Sequence, residues 1–181
     1  IGKIEDLISY RLKKEKLIKL KKTSKINIQK QIYKIKIYEN IIDGSEHFAL
    51  IKGNLKKKIS TRLRVISSNV VENYLISQKI PNSFNKTINY FKKFNNCVLI
   101  FIRDPNLKSV SQTLKKHKNN ENNKMGQDKL IKTYGIGAQI IKSLGIKNMI
   151  LVTRSRKKVV GLDGYGIKIV KQEILKWKKK Y

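Results

Sequence analysis

Disulfide bonding within the chain is excluded, because Cys97 is its single cysteine. It lies in the apolar run Cys97-Val-Leu-Ile-Phe-Ile102 and reads as a small buried hydrophobe rather than a ligand or a nucleophile. No apolar run approaches the roughly 20 residues that span a bilayer, and the N-terminus lacks a cleavable signal pattern. No membrane partner is expected, and a cytoplasmic setting is the simplest expectation. Acidic residues are scarce, 12 against 42 basic ones, for a formal net charge of +30. Such an excess ordinarily suggests a polyanionic partner. Arginine is scarce too, six residues against 36 lysines. Lysine dominance beside abundant Ile and Asn is what drift towards AT-rich codons produces without selection for binding. The charge therefore divides between codon bias and a partner, with nucleic acid the weaker candidate.

A length of 181 residues suffices for one domain with a sizeable core. The chain begins with Ile1, as a fragment of a longer protein would. Ile4, Leu7, Ile8 and Leu12, with Leu17 and Leu20 beyond, predict an N-terminal helix. From Ile26 to Glu39 apolar residues alternate in two phases, which predicts a strand with a phase break or a strand pair. Asp43-Gly44 marks a turn. Strands are predicted at Glu46–Gly53, Arg62–Ser67, Val98–Ile102, Met149–Thr153 and Ile167–Ile174. Helices are predicted over Ser83–Phe94 and along the face Ile136, Ile140, Ile141 and Leu144, with Gly145 as the cap. Tyr33, Phe84, Phe91 and Phe101 fall on apolar phases and are expected in the core. The Asn-rich 115–124 stretch reads as a mobile loop, and Trp177 and Tyr181 as a solvated basic tail. Helices interleaved with short strands predict an α/β domain, a mixed sheet flanked by helices.

Residues Tyr134-Gly-Ile-Gly-Ala-Gln139, the following helix and strand to Thr153, and Leu162-Asp-Gly-Tyr-Gly166 resemble the C-terminal signature of GTP cyclohydrolase II. That family is the zinc enzyme that opens the imidazole ring of GTP at the start of riboflavin synthesis. Glu46-His-Phe-Ala-Leu-Ile-Lys-Gly53 resembles another of its elements. The block Ile1 to Arg11 looks like the end of dihydroxybutanone phosphate synthase, which is often fused ahead of a cyclohydrolase II domain. The resemblance divides the chain into a synthase-like terminal helix and linker at 1–22, a cyclohydrolase II-like domain at 23–175 and a basic tail at 176–181.

The resemblance implies a zinc held by three cysteine thiolates, with one position open to activate water. The first cysteine closes Arg-Val-His-Ser-Glu-Cys, and this chain reads Arg64-Val-Ile-Ser-Ser-Asn69. The other two come from Cys-Asp-Cys-Gly, where this chain has Ile80-Pro-Asn-Ser83. Asn69, Ile80 and Asn82 thus occupy the zinc-cysteine positions. Isoleucine cannot bind zinc and an amide oxygen is a poor substitute for a thiolate, so no cofactor is expected. His47 and His117 are each more than twenty residues from Asn69 and do not restore the site by local spacing. The family's Gln-Glu-Gly-Arg loop becomes Asp104-Pro-Asn-Leu107, with Pro105 for the glutamate. Leu130 and Lys132 stand at the positions of the catalytic base and nucleophile, with Asp128 two residues from the former.

Other positions match. Arg64 and Ser67 fit the first motif, and Thr153 and Lys158 fit a Thr-Asn-Asn-Pro-x-Lys segment whose middle is replaced by Arg154-Ser-Arg156. Hydroxyl and ammonium groups suit purine edges or phosphate oxygens. Gly135 and Gly137 alone are a weak phosphate-loop signal and do not follow a strand in the dinucleotide-binding pattern. The reading that results is a non-catalytic cyclohydrolase II-like domain of a synthase fusion. It would be homodimeric and structural, or would bind GTP or a related nucleotide without turnover. The alternatives are an active enzyme with displaced ligands, such as a histidine or a partner's cysteine, and a basic nucleic-acid-binding module.

Overall fold

The computed structural model describes residues 14–55, 60–68, 83–103, 127–156 and 162–175, with backbone alone at 68, 127–134 and 163. Residues 1–13 of the expected synthase-like helix and linker (1–22), the Asn-rich stretch and the basic tail lie outside these residues. Gln29 and Lys30, at φ of 51° and 65°, turn the chain between β1 (Ile18–Ile28) and β2 (Gln31–Asn40). A two-residue turn with both φ positive matches the right-handed twist of its strands. Ile28 therefore faces Gln31 and Ile26 faces Tyr33. This turn is the phase break anticipated between Ile26 and Glu39.

The predicted N-terminal helix does not continue through Leu17 and Leu20. Residue 14 is helical, but β1 begins at Ile18. Ladder pairing with β2 and burial of Leu17 and Ile18 in the core outweigh the helical spacing, since tertiary context overrides weak local preference.

Asp43 closes the next turn by accepting the Ser45 N–H at 2.9 Å, with Gly44 at φ 68°. Then follow β3 (Glu46–Lys52), β4 (Thr61–Ser68), α1 (Ser83–Phe91), β5 (Cys97–Arg103), α2 (Gln127–Ser143), β6 (Asn148–Thr153), a 3-10 turn (Asp163–Tyr165) and β7 (Lys168–Ile174). The seven strands form one sheet in the order β1-β2-β3-β5-β4-β6-β7. Strands β1, β2, β3 and β5 pair antiparallel in that order, whereas β5, β4, β6 and β7 run parallel. The sheet is mixed and carries helices, as predicted.

Alternation along the central strands divides the core in two. Leu63, Val98, Ile100, Ile102, Met149 and Leu151 pack on the side of α2, against Ile136, Ile140 and Ile141. Leu50, Ile66, Leu99 and Val152 pack on the side of α1, against Ile88 and Phe91. The anticipated α2 face is the buried one, and Gly145 follows it at φ 73°, its N–H donating to the Lys142 carbonyl at 2.9 Å. Gly135 and Gly137 lie inside α2 and are buried, so they form no phosphate loop. A Cβ on Gly137 would stand 3.4 Å from Ile102 Cδ1, which shows how closely the helix sits on β5. Helix α1 ends at Phe91, short of the predicted Phe94, where Lys52 Nζ donates to the carbonyls of Phe91 and Lys92 at 3.3 and 3.2 Å. Tyr33 and Phe91 are buried, and half-buried Phe101 stacks on Phe48 at 5.0 Å and meets the edge of Phe84 at 6.3 Å. These aromatics serve the core.

Edge strand β7 is fastened to the opposite layer by Glu173. Its carboxylate takes Arg62 Nε at 3.0 Å and Nη2 at 3.2 Å, and the Tyr90 hydroxyl at 2.6 Å. The Arg62 guanidinium also lies 3.7 Å over the Phe94 ring. Burial alone would raise the Glu173 carboxyl, but Tyr90 and Arg62 outweigh it and hold it below its ordinary value of 4.5. Tyr90→Phe should lower stability by about 1–2 kcal/mol in urea denaturation at neutral pH, since one short hydrogen bond to a charged group is lost. A lowered carboxyl stabilises the fold above its unfolded pKa and loses that contribution as pH falls through its folded value. Stability should therefore decline in acid below about 4.5, and Glu173→Gln should blunt that decline.

Candidate functional site

Strands β4, β5, β6 and β7 run parallel, so their carboxyl ends at Ser68, Arg103, Thr153 and Ile174 lie along one edge of the sheet. Open α/β sheets hold ligands in the crevice beyond that edge. Arg64, four residues before the end of β4, projects to the α1 side and donates from Nη2 to the Ser83 hydroxyl at 3.1 Å. Ser83 is the first residue of α1, where unsatisfied backbone N–H groups and the helix dipole favour an anion.

Arg64 is only 4% exposed, yet among the described residues its Nε and Nη1 have no hydrogen-bond partner. Burial first, and the charge of Arg154 second, bring its pKa down to about 10. It remains a cation at neutral pH. A buried, incompletely bonded cation is costly unless a counter-charge meets it, and a second arginine close by deepens the cost. The chemistry of the donor set calls for an oxyanion, which accepts from several guanidinium N–H groups at once.

The predicted binding residues divide between the two faces of the sheet. Arg64 shares a face with Ile66 on the α1 side, whereas Ser67, the next residue, is exposed on the α2 side. Val152 belongs to the α1-side core and Leu151 to the α2-side core, so Thr153 lies on the same side as Ser67. Its Oγ1 is buried and has no hydrogen-bond partner among the described residues. Lys158 lies outside the described residues, as do Asn69, Ile80, Asn82 and Pro105. Leu130 and Lys132 lie in the early turns of α2, where only the backbone is described.

Two contributors were not legible in the sequence. Ser83 was signalled only as a hydroxyl opening a helical pattern, and its meeting with Arg64 depends on the crossover from β4 to β5. His47 is fully buried, and its Nδ1 accepts the Arg103 backbone N–H at 3.1 Å, while Nε2 lies 3.4 Å from the Ser45 hydroxyl. It thereby fixes the last residue of β5. Burial lowers the His47 pKa, Asp43 opposes this, and Arg103 lowers it further.

The described residues do not fit a zinc. Among them no group of three or more His, Cys, Asp or Glu is placed to hold a metal. Burial pushes the Cys97 thiol up to about 11, and its Sγ lies 3.9 Å from the carbonyls of Phe91 and Phe94. It is thus a protonated core thiol rather than a thiolate ligand. His47 Nδ1 already accepts a backbone proton.

Fold and site define an α/β domain with a buried cationic site at the carboxyl edge of its parallel strands. The model of the GTP cyclohydrolase II family matches residues 19–173. The chain belongs to that family. It is 30% identical over 182 residues to the probable monofunctional riboflavin biosynthesis protein RIBA 3 of Oryza sativa subsp. japonica, covering 94% of this chain and 34% of the relative. It is 28% identical over 185 residues to the riboflavin biosynthesis protein RibBA of Aquifex aeolicus, covering 96% of this chain and 46% of that protein. Among solved structures it matches RibBX of A. baumannii, a two domain 3,4-dihydroxy-2-butanone 4-phosphate synthase. The TM-score is 0.65 at 25% identity, covering 96% of this chain and 44% of that one. The chain thus spans between a third and a half of the length of these relatives.

Two predictions follow from this geometry. Arg64→Met should leave unfolding free energy unchanged or raise it by about 1–4 kcal/mol, because an apolar chain replaces an uncompensated buried charge; chemical denaturation in anion-free buffer measures it. For His47, a lowered pKa means that its contribution is fully present above the ordinary value of about 6.5 and is lost as pH falls below it. The denaturation midpoint should drop over that range, and His47→Gln, which keeps an acceptor but cannot titrate, should remove the dependence.

Proposed function

We propose that this chain is a riboflavin-biosynthesis GTP cyclohydrolase II-like domain that no longer opens the GTP ring. It retains an oxyanion site for the phosphates of GTP or a related nucleotide. Its role is to support, as a dimerising and ligand-binding part, a protein whose turnover resides in a fused dihydroxybutanone phosphate synthase domain. The observation that carries this reading is the asymmetry of the site. Arg64 keeps two buried donors open for an anion, while amide and alkyl side chains stand at the matched zinc positions Asn69, Ile80 and Asn82. The likeness to a structure described as a two domain synthase supports the context.

Recognition would work through charge and hydrogen bonding. The Arg64 guanidinium and the first N–H groups of α1 would take a phosphate on the α1 side, with Arg154 adding positive potential. Ser67, Thr153 and Lys158 would approach from the other side of the same edge. Leu130 and Lys132 at the base and nucleophile positions leave no carboxylate–guanidinium pair for the hydrolytic step. No helix among the described residues is long and apolar enough to cross a membrane.

The test is direct. The purified protein should carry no stoichiometric zinc and release no formate from GTP, while GTP and inorganic pyrophosphate should each raise its unfolding temperature. That rise should vanish in Arg64→Met. Zinc at one equivalent with formate release would overturn the loss of activity in favour of displaced ligands. A rise of equal size in Arg64→Met would overturn the assignment of the anion site. Sedimentation equilibrium at micromolar concentration should give a dimer.

A further inference from the structure

The two stretches that most resemble the family, Tyr134–Gln139 and Leu162–Gly166, contain residues that the anion site does not use. Gln139, in the last turns of α2, accepts the Leu17 backbone N–H at 2.8 Å on its Oε1 and donates from Nε2 to the Glu15 carbonyl at 2.7 Å. The Tyr165 hydroxyl is buried, and burial raises its pKa while the Gln139 side chain opposes that rise. Leu17 is held from a second element as well, because its carbonyl accepts the Ile41 N–H at 2.9 Å just past the end of β2. Leu17 and Ile18 are then buried in the core that α2 covers.

The spacing of the two groups that Gln139 engages has a physical meaning. In an extended chain the carbonyl of one residue and the N–H of the second residue beyond it point to the same side, where one residue of an adjacent strand would engage both. A primary amide presents a donor and an acceptor side by side and can take that place. A carboxylate could accept the N–H but offers no proton to the carbonyl, and an alkyl side chain could do neither. The contact holds a segment 122 and 124 residues away in sequence, before that segment has any strand pairing of its own.

We propose that Gln139 is a positioning residue that clamps segment 15–17 against α2 and so sets where the chain enters β1. The same helix carries Leu130 and Lys132 near its start, so the clamp couples the start of β1 to α2. A displacement of α2 on ligand binding would move the anchor, and a pull on the segment would act on α2. This inference does not depend on whether the anion site binds a nucleotide.

Amide hydrogen exchange on the intact protein tests it. In Gln139→Leu, exchange at Leu17 should accelerate about fivefold or more, the factor expected for one net hydrogen bond. Protection of Leu99 and Ile88, in the core on the other face, should be unchanged. In Gln139→Glu, Leu17 should stay protected because its acceptor is kept, while trypsin should cut faster after Lys14 and Lys16 because the Glu15 carbonyl has lost its donor. Unchanged exchange at Leu17 in Gln139→Leu overturns the clamp. An even loss of protection through α2 and β5 also overturns it, since that would make Gln139 a general packing residue. Should Gln139→Leu fail to fold, Gln139→Glu decides alone: faster cutting at the two lysines supports the proposal, and cutting as in the unaltered protein overturns it.

Discussion

β5 carries only apolar side chains from Cys97 to Ile102, and all but half-buried Phe101 are removed from solvent. A strand of that kind has to be covered on both faces and paired on both edges, and the rest of the domain is arranged to do so. β3 takes one edge antiparallel and β4 the other in parallel, so β5 is where the hairpin half and the crossover half of the sheet meet. The parallel pairing requires a crossover, and that crossover brings α1 onto one face and its first residue to the carboxyl edge. α2 closes the other face. The position of the candidate site thus follows from the burial of one strand.

Against this apolar centre the charge distribution is uneven. Nearly all of the excess basic residues among the described segments sit at the surface, where a lysine is solvated and costs little. Arg64 does not. Its guanidinium is withdrawn into the layer between β4 and α1, where the Ser83 hydroxyl is its one hydrogen-bond partner among the described residues, whereas Arg62, two residues earlier on the same face, has a bidentate carboxylate, a phenol beside it and an aromatic ring beneath. The two arginines show the difference between a structural cation, whose needs the fold meets, and one whose needs are left open. Composition alone, with its large positive total, gives no means of telling them apart.

Much of the architecture could be read from local pattern. The runs at β5 and β6 and the α2 face Ile136, Ile140, Ile141 and Leu144 announce themselves because burial imposes their periodicity directly. Leu17 and Leu20 misled for the opposite reason. Their spacing suits a helix, but their state is set by β2 and α2, which the local sequence does not contain. At the site, the resemblance singled out Arg64, Ser67 and Thr153, and geometry then separated them, since a period of two sends Arg64 and Ser67 to opposite faces. His47, Ser83 and Gln139 gained their roles only through partners 56, 19 and more than 120 residues away. Such contacts leave no periodic trace.

Among the described residues β1 forms one margin of the sheet, with no strand paired on its outer side. Lys19, Lys22 and Lys25 punctuate that strand and are all exposed. A second sheet approaching to extend the ladder would bring its own β1 alongside, and rows of like ammonium groups would be forced together in register. The lysines of β1 therefore act as a fence against strand addition along that margin, whatever codon usage first placed them there.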